Sequence, residues 1–301
     1  MTGSQLSLRE AIEARLAAID AWPVPDAGVA VLVGDRPAIT HGDCSTVSRI
    51  ASVSKPLFSY AILIAIEEGI VELEEPAGPI GATVRHLLAH ASGLPFLATD
   101  STGAAPGTRR IYSNVGFDVL GDLLEQRSDM PVAEYLRLAV LEPLGMHNSE
   151  LRGSVAKDVW SSVDELAMFA RELLRPSLIA PETFKQFTAV QFPELAGVLP
   201  GFGSQRPCPW GLGIEIRGHK TPHWTGRHNS PATFGHFGGS GSLLWIDPRV
   251  NVGLVCLTGR EFGPWAGPLW EALADAVLVA INQTNTQSPD ETKLGWPEGT
   301  P

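Results

Sequence analysis

Ser52 and Lys55 stand three positions apart in the stretch RIASVSKPLFSY, residues 49–60. Pro56 is tolerated only near the first turn of a helix, so we predict a helix that begins around Ser52–Ser54 and places both side chains on one face. A serine hydroxyl becomes a nucleophile when a neighbour accepts its proton, and a lysine can accept it when burial lowers the lysine pKa. The alternative is a serine that only caps the helix, with the lysine in solvent.

A second polar group, Tyr112-Ser113-Asn114, directly precedes a stretch that we predict to be a helix over Asn114–Arg127. A tyrosine hydroxyl held near a lysine ammonium moves toward phenolate and then acts as a general base. The side chain of Asn114 offers a carbonyl and an amide group, which can bind both a lysine and a substrate amide. A core tyrosine followed by Asn114 as the helix N-cap is the alternative interpretation.

A third group consists of His236, Gly238 and Gly239, which we expect to precede a strand over Ser242–Ile246. Glycines at this place would allow a substrate backbone to lie close to the strand edge. The N–H group of Gly239, opposite that of Ser52, would complete an oxyanion hole.

Other patterns that suggest chemistry are weaker. His86 and His90 have the spacing of a zinc-binding helix but lack the usual glutamate, so we predict a structural pair and no metal or organic cofactor. The glycine-rich residues 238–242 imitate a nucleophile elbow, but they precede the predicted strand instead of following one. We expect Trp210 and Trp224 to line a pocket.

Charge and hydropathy limit the classes of partner. The chain has 301 residues and a formal net charge of −11, which argues against nucleic acid because phosphate binding needs a basic face. The longest apolar runs, such as Ala61–Ile66 and Ala276–Ile281, are too short to span a bilayer. Residues 1–16 carry charges where a signal peptide needs an apolar core, so we expect a cytoplasmic protein. The oligomeric state does not follow from these features.

The elements that must position these residues form a mixed pattern, with strands near both ends and helices between them. We predict an α/β (α+β) fold in which residues 1–75 and 185–283 together form one domain. Residues 76–184 are expected to be a helical insertion, and residues 284–301 a disordered tail because they contain few apolar side chains.

The chain resembles the penicillin-recognising serine hydrolases, and most of all the class C β-lactamase branch with its esterases and D-peptidases. The motifs that carry this resemblance are Ser52-Val53-Ser54-Lys55, Tyr112-Ser113-Asn114 and His236-Phe237-Gly238. Further similar stretches, including TVRHLLAHASGLP and YLRLAVLEPLGM, extend the likeness from about residue 27 to residue 280. The resemblance implies a mostly antiparallel sheet flanked by N- and C-terminal helices, with an inserted all-helical domain.

The resemblance also implies a role for each motif residue. Ser52 would be the acylated nucleophile, and Lys55 and Tyr112 the paired base. Asn114 would position the substrate, and the N–H groups of Ser52 and Gly239 would form the oxyanion hole. The reaction would pass through an acyl-enzyme without a metal or an organic cofactor.

Two departures from the family pattern affect the substrate. β-Lactamases usually have Lys-Thr-Gly where this chain has His236-Phe237-Gly238, so the cation becomes pH-dependent and an apolar ring replaces the hydroxyl that would bind a β-lactam carboxylate. Lys220-Thr221-Pro222 is no substitute, because Pro222 cannot serve as the glycine of a strand edge. The connection over residues 147–160 is shorter than is usual in the family, so we expect a more open cleft.

These observations favour a small-molecule ester, amide or lactam as the substrate. A carboxylesterase-like serine hydrolase is our first hypothesis, because the loss of carboxylate recognition favours neutral substrates. A D-stereospecific peptidase or amidase and a β-lactamase are the alternatives of the same kind. An acyltransferase or a non-catalytic homologue is the alternative from another class.

Overall fold

A computed structural model describes residues 7–98 and 103–287 of the chain. The last helix continues through Gln287, so the predicted disordered tail begins too early: residues 284–287 are helical because they continue an amphipathic helix. The remainder of the predicted tail, residues 288–301, lies outside the described residues. Within the described part of the chain, no helix has the length and apolar character needed to cross a membrane.

A six-stranded antiparallel sheet is the centre of the fold, with strand order β2-β1-β11-β10-β9-β8. Its strands are β1 (Ala27–Val33), β2 (Ile39–Gly42), β8 (Glu215–Ile216), β9 (Phe234–Gly238), β10 (Ser242–Asp247) and β11 (Val252–Thr258). Two smaller sheets are formed by β3 (Ser48–Arg49), β4 (Glu150–Leu151) and β5 (Val159–Ser161), and by β6 (Gly197–Leu199) and β7 (Gly203–Gln205). The early strand β1 pairs along its whole length with β11, from Ala27 opposite Thr258 to Val33 opposite Val252.

The helices lie on both faces of this sheet. They are α1 (Leu8–Leu16), α2 (Ser54–Glu67), α3 (Val84–Leu88), α4 (Asn114–Ser128), α5 (Val132–Leu136), α6 (Val163–Leu174), α7 (Pro181–Thr188) and α8 (Ala266–Gln287). Short 3-10 turns cover Ala17–Ala21 and Ala51–Val53, and a π-helical turn covers Arg137–Leu141. Every residue of β10 and β11 is buried, because helices cover both sheet faces.

The helix α1 begins with a capping box, in which Ser7 and Glu10 exchange side-chain and backbone hydrogen bonds. It packs with α8 on one face of the sheet, where the side chains of Ile12, Leu16 and Trp270 are buried. The apolar stripe that α1 shows in the sequence is therefore the face that covers the sheet.

The helix α2 lies in the second core, on the other side of the sheet. Nearly all of its side chains are buried, including polar Ser54, Lys55 and Ser59. A helix that is apolar on all sides is typical of such a central position. It begins at Ser54, within the predicted range, and the 3-10 turn Ala51–Val53 leads into it.

The mostly antiparallel α/β fold with flanking terminal helices is confirmed. The region 76–184 is not purely helical, since it contributes β4 and β5. In addition, α6 packs against β1, β10 and β11 and so belongs to the layer that covers the sheet. The division of the chain into domains at residues 76 and 184 stays a prediction.

Candidate active site

Ser52 lies in the 3-10 turn in front of α2, and it is only partly buried. The preceding Ala51 has a φ of 45°, a left-handed backbone conformation that is uncommon for a residue with a side chain. Such backbone strain persists only where the surrounding structure enforces it, and it is concentrated at functional sites. Here Gly238 of β9 lies against the turn: a Cβ atom on Gly238 would lie 2.5 Å from the carbonyl oxygen of Ile50 and 3.1 Å from the Cβ of Ala51.

Lys55 is fully buried at the start of α2, and its side-chain nitrogen has three oxygen atoms around it. Lys55 Nζ lies 2.7 Å from Asn114 Oδ1, 2.9 Å from the carbonyl oxygen of Ala156 and 3.4 Å from Ser52 Oγ. The carbonyl and amide oxygens can only accept hydrogen bonds, so they hold two N–H groups of a neutral lysine. The third position of the nitrogen, which carries the lone pair of the neutral amine, is therefore directed at the serine hydroxyl.

Burial lowers the pKa of Lys55 well below its ordinary value, although the carboxylate of Asp118 partly opposes the shift. The nitrogen also lies 4.6 Å from the centroid of the Tyr112 ring. A lowered pKa and a lone pair directed at Ser52 are the two properties that a proton acceptor for this hydroxyl needs.

Tyr112 brings its hydroxyl to the opposite side of the serine. The Tyr112 hydroxyl lies 3.4 Å from His236 Nε2. Burial raises the pKa of Tyr112, and a hydrogen bond with the side chain of Ser52 only partly offsets this effect. The shift is opposite to the expected move toward phenolate, because desolvation outweighs the hydrogen bond with Ser52 and the carboxylate of Glu215 adds to the rise. Tyr112 is therefore a protonated phenol in the free protein, able to donate a proton.

His236 is neutral, which corrects the expectation of a pH-dependent cation. Burial, with the nearby Lys55 as the next cause, lowers the pKa of His236 to about 3. Its Nδ1 lies 2.6 Å from the carbonyl oxygen of Phe237, and a carbonyl can only accept, so the ring proton is on Nδ1. Nε2 then has a free lone pair, and it accepts a hydrogen bond from Tyr112.

His236 and Gly238 precede the strand β10 as expected, but they themselves lie within a further short strand, β9, which the sequence analysis missed. The strand β8 pairs with β9 only at Phe234 and Gly235. Beyond Gly235, this edge of β9 does not pair with β8 and faces the site. Gly239 follows the strand, and no atom lies within 4 Å of the position that its Cβ would occupy.

A cavity of about 150 Å³ connects these residues. Its walls are mostly apolar, and Gly239 and Ser52 both line it, as two donors of an oxyanion hole must. The lining residues are Ser52, Phe96, Tyr112, Leu199, Pro200, Trp210, Glu215, His236, Phe237, Gly239 and Phe262. The structure thus brings Ser52, Lys55, Tyr112, Asn114, His236 and Gly239 together, while Gly238 shapes the contact behind the serine.

Asn114 serves the lysine, but it is not the helix cap that the sequence allowed. The N-cap of α4 is Ser113, whose hydroxyl accepts a hydrogen bond from the N–H of Gly116 at 2.9 Å. Asn114 is the first helical residue, and its side chain points at Lys55. Serine is as good a cap as asparagine, so the sequence pattern alone places the cap only within one residue.

The short connection 147–160 supplies part of the site, which sequence reasoning missed. The backbone carbonyl of Ala156 accepts a hydrogen bond from Lys55. Every residue has a backbone carbonyl, so the residue types in this connection do not indicate which carbonyl will accept from Lys55. Because Phe96, Leu199 and Phe262 form walls of the cavity, other segments enclose the side that this connection leaves free.

A buried polar cluster beneath the cavity was also missed. Glu215 of β8 accepts hydrogen bonds from Lys220 at 2.8 Å, His223 at 2.9 Å and the indole of Trp224 at 2.7 Å. Burial opposes ionisation, but Lys220 and His223 together lower the pKa of Glu215. Lys220 is fully occupied by this cluster and cannot act as a cation for substrate. Trp210 lines the cavity as expected, whereas Trp224 does not, because its indole donates to Glu215 and stacks on His223.

The histidine pair on α3 and just beyond it has separate partners. His90 Nδ1 accepts a hydrogen bond from the N–H of Ser113 at 3.1 Å, and His86 Nδ1 lies 3.0 Å from the hydroxyl of Thr83. The ring of His90 packs 4.6 Å from the ring of Tyr112, which fixes the loop that carries the tyrosine. In residues 7–98 and 103–287, no group of three or more His, Cys, Asp or Glu side chains could hold a metal ion.

A serine backed by a buried lysine, a tyrosine and a glycine-flanked strand edge, on an antiparallel sheet between helices, defines a serine hydrolase of the β-lactamase and transpeptidase kind. The chain belongs to the β-lactamase family: the family model described as Beta-lactamase matches residues 8–278. The resemblance inferred from the motifs is thereby confirmed.

Solved structures with the same fold include a β-lactamase from Mycobacterium bovis, which is 50% identical with a TM-score of 0.86 over 89% of this chain and 99% of that chain. Simvastatin synthase from Aspergillus terreus has a TM-score of 0.74 over 92% of this chain and 100% of that chain. At 18% identity, the likeness to the synthase shows the fold alone.

Among curated relatives, the D-alanyl-D-alanine-carboxypeptidase/endopeptidase AmpH from Escherichia coli (strain K12) is 29% identical over 140 residues, which are 35% of this chain and 36% of that protein. The chain spans only about a third of the length of the first curated relatives that it matches. Their activities therefore do not transfer to this chain directly.

Proposed function

We propose that the protein is a serine hydrolase that acts through an acyl-enzyme, with carboxylesterase-like activity on esters whose acyl group is neutral. One observation carries this proposal: Lys55 Nζ donates to two fixed oxygens and directs its remaining position at Ser52 Oγ. In this arrangement the lysine holds its own orientation and the serine hydroxyl is the one group left for it to deprotonate.

The first half of the reaction follows from this geometry. Lys55 accepts the proton of Ser52 while Ser52 Oγ forms a bond with the ester carbonyl carbon. The N–H groups of Ser52 and Gly239 stabilise the oxyanion. When the bond to the alcohol oxygen breaks, Tyr112 donates its proton to that oxygen and takes back a proton from the Lys55 ammonium. The net result is an acylated serine, a free alcohol, and both base residues in their starting states.

Water then hydrolyses the acyl-enzyme, and the proton transfers run in the opposite direction. Tyr112 and Lys55 accept a proton from a water molecule as the water attacks the acyl carbonyl carbon, and the proton returns to Ser52 Oγ when the acyl bond breaks. The products are a carboxylic acid and the regenerated hydroxyl. No residue outside the site is needed for proton balance.

The surroundings of the serine favour a neutral, apolar acyl group. His236 is neutral, Phe237 is apolar, and the carboxylate of Glu215 also lines the cavity, so none of the described residues that line this inner cavity offers a cation to a β-lactam carboxylate. A cavity of about 150 Å³ accommodates a group about the size of benzene. The acyl part of the substrate should therefore contain about six carbon atoms or fewer.

An ester is favoured over an amide by the state of Asn114. Its carbonyl oxygen, which would accept the N–H of a substrate amide, already accepts a hydrogen bond from Lys55 at 2.7 Å. An ester has no N–H group and loses nothing by this occupation. The N–H group of a substrate amide would have to share this oxygen with the lysine, at its second lone pair.

The test compares p-nitrophenyl butyrate, nitrocefin and D-alanyl p-nitroanilide as substrates for the wild type and for Ser52→Ala. We expect hydrolysis of the butyrate ester, little or no turnover of the other two, and one fluorophosphonate adduct by mass spectrometry in the wild type only. Ser45→Ala, which changes an exposed serine near the site in sequence, serves as the matched control and should label normally. Labelling or activity that persists in Ser52→Ala would overturn the proposal.

A further inference from the structure

A second cavity, of about 360 Å³, lies beside the first and shares three of its walls. Phe96, Tyr112 and Pro200 line both cavities. The larger one, here called the outer compartment, is completed by Gly103, Ala104, Arg109, Arg110, Ile111 and Val198. Nothing in the proposed attack on the carbonyl uses this space, so its occupant must be a part of the substrate beyond the scissile bond or a separate ligand.

The outer compartment has an apolar wall. Phe96 and Val198 are 44% and 52% exposed, large fractions for apolar side chains, and both line this space. Exposed apolar side chains that line a concave site are typical of ligand-binding surfaces. A ligand body placed against Phe96 and Val198 would cover both.

Arg109 adds a cation to that wall. Its side chain is exposed, and within the described ranges no carboxylate pairs with its guanidinium, in a protein whose net charge is −11. The neighbouring Arg110 differs, because its guanidinium is buried and donates to the carbonyl oxygens of Ala89, Gln191 and Cys208. Arg110 holds the structure together, while Arg109 is left for a ligand. A guanidinium is suited to a planar carboxylate.

Tyr112 determines which part of an ester enters the outer compartment. Its side chain belongs to a residue that lines both cavities, and its hydroxyl is the proposed donor to the departing alcohol oxygen. The acyl part occupies the inner cavity beside Ser52, so the alcohol part needs other space next to Tyr112. The outer compartment, which shares the Tyr112 wall, offers that space.

We propose that the outer compartment is the binding site for the alcohol part of the substrate, which consists of an apolar or aromatic body with a carboxylate that pairs with Arg109. The inference rests on the proposed ester hydrolysis for the assignment of the alcohol part. The specificity-determining residue of this site is Arg109, and Phe96 and Val198 bind the body.

The test uses two butyrate esters, those of 4-hydroxybenzoate and of methyl 4-hydroxybenzoate, which differ in the carboxylate. The quantity measured is kcat/KM for the ester with the free carboxylate divided by kcat/KM for its methyl ester. It is determined in the wild type, Arg109→Gln, Arg109→Lys and Arg36→Gln. We expect the ratio to fall about three- to tenfold in Arg109→Gln, as for the loss of a partly exposed charged hydrogen bond, and less in Arg109→Lys, which keeps the charge. Arg36→Gln removes the same charge at an exposed turn between β1 and β2 and should leave the ratio unchanged.

A direct binding measurement separates this inference from the proposed hydrolysis. Binding of 4-hydroxybenzoate, the alcohol product, is followed by calorimetry or by the fluorescence of the nearby Trp210. Weaker binding to Arg109→Gln than to the wild type supports the site even if neither ester is hydrolysed, in which case only the proposed function fails. An unchanged kcat/KM ratio together with equal binding, or no binding to the wild type, would overturn the site while active ester hydrolysis stands.

Discussion

His236 Nε2 and the hydroxyl of Tyr112 lie 3.4 Å apart, and the histidine is the acceptor of that pair. The carbonyl of Phe237 takes the Nδ1 proton at 2.6 Å, so Nε2 has no proton to give. Where β-lactamases usually carry a cationic lysine, this chain therefore has a neutral acceptor that orients a phenol. In β-lactamases the cation of the third motif attracts an anionic substrate. In this chain His236 of the third motif instead orients Tyr112, the proposed proton donor.

This relationship predicts the shape of the pH profile. Since the pKa of His236 is lowered to about 3, its charge does not change between pH 5 and 8. Lys55 must be neutral to accept a proton, so kcat/KM for a neutral ester should rise with pH through the lowered pKa of Lys55 and then level off. The measurement is kcat/KM for p-nitrophenyl butyrate from about pH 5 to about pH 10, which extends to the ordinary pKa range of lysine, in the wild type and in His236→Asn.

The pH profile separates the effects of Lys55 and His236. Deprotonation of Lys55 would raise the activity as the pH rises, whereas deprotonation of a cationic His236 would lower it. A rising limb that persists in His236→Asn belongs to Lys55. A fall in activity with a midpoint near pH 6.5 that disappears in His236→Asn would show a cationic histidine and contradict the neutral state.

The paired base predicts large and selective losses of turnover. Lys55→Ala removes the acceptor of the serine proton, and Tyr112→Phe removes the donor to the leaving alcohol, so each should lower kcat about 100-fold or more. Steady-state kinetics with p-nitrophenyl butyrate check this, with circular dichroism to confirm folding. Tyr135→Phe is the matched control: Tyr135 is a buried tyrosine whose hydroxyl donates to Glu68 away from the site, and the loss of that hydroxyl should change kcat less than twofold. A loss below threefold in either base variant would contradict its role.

Two adjacent glycines predict opposite effects on stability. A Cβ on Gly238 would lie 2.3 Å from Ser242 Oγ and 2.5 Å from the carbonyl oxygen of Ile50, so Gly238→Ala forces β9 away from the nucleophile turn. Overpacking of this kind lowers the free energy of unfolding by about 1–3 kcal/mol. Gly239→Ala places its Cβ where no atom lies within 4 Å, so the change should be under about 0.5 kcal/mol. Urea denaturation of both variants measures the difference, and equal values would show that the close approach of β9 is not needed.

The buried pair of Lys220 and Glu215 predicts a stability defect that depends on pH. Lys220→Met leaves the Glu215 carboxylate without its cation, which should cost about 3–5 kcal/mol at pH 7. Lys185→Met, at an exposed lysine, should change the stability by less than about 0.5 kcal/mol. Both are measured by chemical denaturation.

The sign of the pH effect follows from the direction of each pKa. In the wild type the pKa of Glu215 is lowered, so its stabilising contribution is present above the ordinary value of 4.5 and is lost as the pH falls below it. In Lys220→Met, burial without the lysine raises that pKa, so protonation relieves the defect on acidification. The difference between the two proteins should therefore shrink from pH 7 to pH 4, and a constant difference would contradict the electrostatic origin.

Local patterns predicted those features that depend on neighbours in the chain. The capping box of Ser7 and Glu10 was readable because both partners lie within one turn. The Ser52–Lys55 pair was readable for the same reason, since a spacing of three fixes a shared helix face.

Features that depend on tertiary burial could not be predicted in this way. The neutrality of His236 comes from its position in an enclosed strand, and the raised pKa of Tyr112 comes from desolvation. Glu215 left one signal, a carboxylate inside the apolar run GLGIEIRG, which is typical of a buried pair but names no partner. The short strand β9 was missed because its two glycines interrupt the alternation that marks strands.

The pairing of β1 with β11 has a consequence for the order in which the protein becomes active. Residues about 230 apart in the chain, such as Ala27 and Thr258, are hydrogen-bonded neighbours in the sheet. A ribosome releases Ser52, Lys55 and Tyr112 long before β9, β10 and β11, so a nascent chain carries the nucleophile without its histidine or the strand edge behind it. Non-local pairing of this kind also makes folding slow. The candidate nucleophile Ser52 therefore lacks His236 and the supporting strand edge until the strands encoded farthest from it have joined the sheet.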